Sequence, residues 1–132
     1  MAGLTLEDLL EVARRTLGSD MRVRDLGLLT AALARIEARA LGHDVYPTVE
    51  ERAAALLHSL ATTAPLVHGN RPFAWAATAV YLARRGCPSA LTDEQAVSLV
   101  TDVLTGRVEA VTAIADRLRG TSGPAAGTPS PA

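Results

Sequence analysis

The segment richest in chemistry is Ala64-Pro65-Leu66-Val67-His68-Gly69-Asn70-Arg71-Pro72. Gly69 permits a tight turn and Asn70 can cap a following helix. The free amides of a first helical turn, with the positive end of the helix dipole, attract phosphate. Arg71 adds a full charge beside them. The same residues also fit a helix start capped by Asn70 and nothing more, because Gly-Asn pairs are common there. Elsewhere the chemistry is thin. His58 lies between Leu57 and Leu60 on an apolar stretch, which suits packing or capping, and His43 falls in a connector with no assigned role. Cys87 follows Gly86 with no histidine beside it, which reads as a passive thiol. Phe73 and Trp75 read as core, and Arg14-Arg15 and Arg84-Arg85 as solvated helix charges.

The elements that must position this loop are helices. Apolar residues recur at helical spacing almost throughout, and no segment keeps the strict alternation of a half-buried strand. A first helix fits Thr5 to Leu17, with Leu6, Leu9, Leu10 and Ala13 on one stripe and Gly18 ending it. A second begins near Asp25, carries Leu29, Ala32, Leu33, Ile36 and Ala40, and stops at Gly42, leaving 42–47 as a connector. Thr48 with Glu51 has capping-box spacing and opens a third helix, which ends near Thr63 because Pro65 biases Ala64 out of helical geometry. The stretch from Phe73 to Leu82 is apolar all round and rich in alanine. It predicts a buried central helix over about 71–85, stopped by Gly86. Thr92 with Gln95 repeats the capping box, and a last helix carries Val108, Val111, Ala115 and Leu118. The expected fold is therefore all-α, a bundle of about six helices in one domain over 1–119. The Thr/Ser/Gly/Pro/Ala composition of 120–132 predicts a disordered tail.

Composition narrows the function. In 132 residues, 13 basic and 14 acidic side chains leave a net charge of -1, far from the basic excess of a nucleic-acid binder. Every fixed positive charge is an arginine, since the chain contains no lysine. One cysteine excludes an internal disulfide framework and any multi-cysteine zinc or iron-sulfur site. The first ten residues carry Glu7 and Asp8 and no basic residue, the wrong polarity for a secretory signal, and no apolar run is long enough to span a membrane. A soluble, cytoplasmic protein is expected.

The segment 64–72 resembles the motif of the Fic fold, and more closely that of its small branch, the death-on-curing (Doc) toxins. That signature runs His-x-Phe-x-Asp/Glu-Gly-Asn-Gly/Lys-Arg, with Lys before the final Arg in the Doc branch. The resemblance extends to Val23-Arg24-Asp25-Leu26-Gly27-Leu28-Leu29, to Ala31-Ala32-Leu33-Ala34, to Ala53-Ala54-Ala55-Leu56-Leu57-His58-Ser59-Leu60 and to Phe73-Ala74-Trp75-Ala76-Ala77-Thr78. It covers roughly residues 4 to 119. It implies a Fic/Doc-like helical fold and, for the Doc branch, ATP-dependent phosphoryl transfer to elongation factor Tu with Mg²⁺. It also implies neutralisation by a small antitoxin that docks an otherwise disordered helix. In the family the His is a general base, the acid holds Mg²⁺, and the Gly-Asn backbone and basic residues cradle phosphates.

Carried over on Gly69-Asn70, the motif is incomplete here. The base position holds Ala64, and positioned proton transfer is worth about 10²–10⁴-fold in rate. The position of the metal-holding acid carries His68, an imidazole where Mg²⁺ prefers carboxylate oxygen; its side chain is expected to face the phosphates. Pro72 replaces the final Arg and removes both a charge and an N–H, while the fold tolerates its ring in a first turn. Arg71 stands for Lys, in keeping with a chain that uses arginine everywhere. Gly69, Asn70 and Arg71 remain as a phosphate cradle, with no intact catalytic residue and no metal ligand. Three functions follow: a Doc-like toxin with impaired or lost transfer, a catalytically inactive Fic-fold protein that binds an antitoxin, a nucleotide or another partner, and a helical adaptor without a nucleotide site.

Overall fold

Three threonines start three of the helices by one device. Thr5, Thr48 and Thr92 each accept a hydrogen bond from the backbone amide three residues on, and Asp8, Glu51 and Gln95 each accept from the threonine amide in return. Two amides that would otherwise lack a partner are satisfied at each start. In the computed structural model, which describes residues 3–120, these caps open α1 (Leu6–Leu17), α3 (Val49–Thr63) and α5 (Asp93–Leu104). Asp25 caps α2 (Leu26–Ile36) through the amide of Gly27 at 2.9 Å. α4 (Asn70–Arg84) and α6 (Val111–Arg119) complete an all-α bundle of six helices, with a 3-10 turn at Gly18–Asp20 and one very short hairpin. The expected tail lies outside the described residues apart from Gly120, whose positive φ ends α6.

The core is aliphatic and lies on α3 and α4. Ala53 to Leu57 are buried without interruption, followed by Leu60 and Ala61, so α3 has almost no solvent face. It packs against α2, α4, α5 and α6. α4 shares the centre through Phe73, Ala74, Ala77, Thr78, Tyr81 and Leu82, and its alanines allow the close approach to α3 that the sequence predicts. Thr78, the one buried polar residue among those described, is satisfied by its own helix, its hydroxyl donating to the Ala74 carbonyl at 2.8 Å.

Two boundaries differ from the sequence reading. α2 ends at Ile36 instead of near Ala40, and the chain forms a hairpin with β1 (Arg39–Ala40) antiparallel to β2 (His43–Asp44). Leu41 and Gly42 both take positive φ, 53° and 83°, as a two-residue primed turn requires. Arg39 fastens it, donating to the Asp44 carboxylate at 2.7 Å and to the Gly42 carbonyl. Strands of two residues leave no alternation to read, and leucine is not a residue that announces a positive φ. At the other end of the chain, Val108 precedes α6 and packs on the core from the connecting loop.

Candidate functional site

The loop between α3 and α4 is built by a chain of local constraints. α3 stops at Ala64, which takes the left-handed conformation (φ 52°, ψ 65°) instead of the extended one usual before proline. Pro65 and Leu66 are buried, and Leu66 makes an antiparallel bridge with Val23. The Val67 amide donates to the Arg22 carbonyl at 2.9 Å. Gly69 then takes φ 76° against the end of α1, where a Cβ would collide with the Leu17 side chain. Conformation therefore favours glycine there, and a Cβ would in addition force the Leu17 side chain to move aside.

Asn70 is not the cap that its position suggests. It is the first residue of α4, and its side chain turns back onto the loop. Its Oδ1 accepts from the Leu66 amide and its Nδ2 donates to the Leu66 carbonyl, both at 2.9 Å. Gly69 occupies the cap position with no side-chain bond. The first-turn amides of Asn70 and Arg71 thus keep their freedom, since neither has an intrahelical acceptor and, among the described residues, no side chain accepts from them. Pro72 supplies no amide.

Two clefts meet at this turn. One, of about 390 Å³, is lined by Ala61, Ala64, Gly69, Asn70, Arg71, Pro72 and Leu104. The other, of about 300 Å³, lies between α4 and α5 and is lined by Arg71, Pro72, Trp75, Asp93, Ala96, Val97, Val100 and Thr101. Arg71 borders both, is exposed, and makes no hydrogen bond or ion pair among the described residues. The first cleft is lined mainly by apolar groups, with Asn70 and Arg71 at its edge and no side chain that could remove a proton: the side chain at 64 is a methyl. Trp75 is only partly core, because one side of it opens on the second cleft.

His68 points elsewhere than expected. Its Nε2 lies 2.9 Å from the Asp20 carbonyl, so the ring donates to the 3-10 turn and ties the loop to the end of α1. Among the described residues no three His, Cys, Asp or Glu side chains come together as a metal site. The residues present therefore do not fit a protein-held Mg²⁺, which needs carboxylate oxygens at the position His68 takes.

The other histidines and the cysteine stay outside the clefts. His43 sits exposed on the hairpin, and Cys87 is partly buried beyond α4 with its thiol 3.8 Å from the Arg85 carbonyl. His58 accepts at Nδ1 from Arg35 at 3.0 Å, and burial, then the positive charge of Arg35, push its pKa down, with Glu109 opposing. Arg35 also donates to Tyr46 and Ser59 at 3.0 Å, so one guanidinium pins α2 to α3 and to the hairpin exit. Sequence reading missed both Arg35 and Arg24, whose side chain reaches the end of α3. The Val23-to-Leu29 segment carried the signal for Arg24, as a resemblance without a reason, and no sequence feature marked Arg35. Arg84 is also more than a solvated charge, because it pairs with Asp8 of α1 at 2.8 Å.

Comparison with known proteins finds a relative, Toxin Doc of Mycolicibacterium smegmatis, 47% identical over 79 residues. The aligned stretch is 60% of this chain and 61% of that protein, under two thirds of either. No family model and no solved structure matches.

Proposed function

On the premise of membership in the Doc toxin family, which the identity to Toxin Doc supports, we propose that this chain is the toxin-side protein of a toxin-antitoxin pair. Its motif loop is a phosphate cradle whose phosphoryl transfer is impaired or lost. The observation that carries this reading is the turn at Gly69: Asn70 and Arg71 line one cleft, and among the described residues neither their amides nor the Arg71 guanidinium has a hydrogen-bond partner. The base position beside them holds the methyl of Ala64. The partner is a small antitoxin, the nucleotide is ATP carrying its own Mg²⁺, and the family's target is elongation factor Tu. Nothing in the loop activates an acceptor hydroxyl, and a missing general base alone costs about 10²–10⁴-fold.

The left-handed backbone at position 64 bears on repair. Histidine is one of the few non-glycine residues enriched in that region, so Ala64→His is compatible with the existing turn. Expressed inducibly, the chain should slow growth weakly or not at all. The triple variant Ala64→His, His68→Asp, Pro72→Arg should arrest growth and phosphorylate elongation factor Tu. An inert, folded triple variant would refute the cradle assignment. Strong arrest by the unmodified chain that survives Asn70→Ala and Arg71→Ala would refute the claim of a weakened site.

A second reading, a catalytically inactive member of the fold that binds a partner, is favoured by Ala64 and Pro72. It predicts ATP or antitoxin binding without transfer. A helical adaptor lacking any nucleotide site predicts no ATP binding, so titration that detects binding and loses it with Arg71→Ala removes that third possibility.

A further inference from the structure

The geometry of the cradle is imposed from outside it. Arg24, in the segment before α2, donates from Nε to the Ala64 carbonyl and from Nη2 to the Thr63 carbonyl, both at 2.7 Å. The backbone amides of Arg24 and Asp25 both donate to the Pro65 carbonyl, at 2.8 and 3.0 Å. Three consecutive carbonyls, those of residues 63, 64 and 65, are thus held by two adjacent residues. A helix end needs partners for its last carbonyls, and a guanidinium can supply them. That need alone does not explain the backbone at Ala64, which has φ 52° although it carries a Cβ. An alanine stays in the left-handed region only where its surroundings dictate it.

We propose that Arg24 is the positioning residue of the anion cradle. By fixing the carbonyls of the two peptides that flank the Ala64 Cα it holds Ala64 left-handed. That conformation turns the chain through Pro65 toward Gly69 and so sets where the Asn70 and Arg71 amides point. The planar fork matters, because Nε and Nη2 donate in parallel to neighbouring carbonyls and a lysine ammonium cannot span them in one orientation. The role rests on the reading that those amides take nucleotide phosphate.

The test uses the full chain with Mg²⁺-ATP measured by titration calorimetry, and thermal unfolding alongside. Arg24→Ala and Arg24→Lys should weaken ATP binding tenfold or more. Adding Ala64→Gly to Arg24→Ala should return affinity to within about threefold of the unmodified chain, since glycine enters the left-handed region freely. Arg84→Ala, which breaks the Asp8 pair on the α1–α4 surface, should lower the melting temperature and leave ATP affinity unchanged. ATP affinity within twofold in Arg24→Ala, or no recovery in the double variant, overturns the proposal. If the unmodified chain binds no ATP, the cradle reading fails by itself and amide exchange decides the role of Arg24. Faster exchange at Val67 in Arg24→Ala, reversed by Ala64→Gly, supports loop positioning, and unchanged exchange overturns it.

Discussion

Tyr81 places a hydroxyl in the core with no hydrogen-bond partner among the described residues. Its side chain is buried and Arg85 lies over its ring at 5.5 Å. A buried polar group left unpaired costs about 1–3 kcal/mol, and removing it at constant shape removes that cost. Tyr81→Phe should therefore raise stability by about 1 kcal/mol, read as a shift of the urea midpoint at unchanged m-value; a loss of similar size would reveal a partner for the hydroxyl. At the same scale, residue type foretold less than residue position. Asn70 is recognisable in the sequence as a loop-to-helix polar residue, but its amide could serve the helix ahead or the loop behind. With Gly69 at positive φ in the cap position, Asn70 becomes the first helical residue and its side chain serves Leu66 behind it.

Helices were legible because their signals are local: a threonine with an acceptor three residues on, a stripe at helical spacing, a glycine beyond. What joins them was not. Arg24 meets its carbonyls 39 and 40 residues away, and Arg35 meets His58 and Ser59 across 23 and 24, distances over which no pattern in a single sequence points to a partner. The contact of α1 with the loop was equally hidden, because the side chain that a Cβ at Gly69 would displace belongs to Leu17. That contact is separable from the backbone requirement. Gly69→Ala should cost about 1–2 kcal/mol for a Cβ at positive φ, plus the cost of displacing the Leu17 side chain. In a Leu17→Ala background the same change should cost only the conformational part. A double-mutant cycle in chemical denaturation measures the coupling, and strict additivity would show that Leu17 yields without strain.

For the whole molecule, α3 and α4 form one core that every other helix covers, so charge changes at the periphery act on a single folding equilibrium. Three groups make that equilibrium depend on acid: His58, Asp8 and, on the exposed face of α1, Glu11, whose carboxyl is held down chiefly by its hydrogen bond with Arg15. His58 has its pKa lowered by burial and by Arg35, so the folded state prefers the neutral ring. Its contribution is complete above the unfolded value of about 6.5 and is lost as the pH falls from there toward the lower folded value. Asp8 is held down to about 2 from 3.8, chiefly by its hydrogen bond with Arg84, so its contribution is lost lower, between about 4 and 2. Because that pair is part-exposed, its share stays below about 1 kcal/mol. Stability should thus decline in two stages on acidification. Trp75, the one tryptophan, lies on α4 and reports the transition by fluorescence. His58→Gln should flatten the stage near neutrality and leave the acidic one, while Asp8→Asn should shrink the acidic stage, to which Glu11 also contributes, and leave the upper one. Fluorescence and far-UV circular dichroism should give the same midpoints at each pH. A His58→Gln chain that keeps the upper stage would mean that another group titrates there.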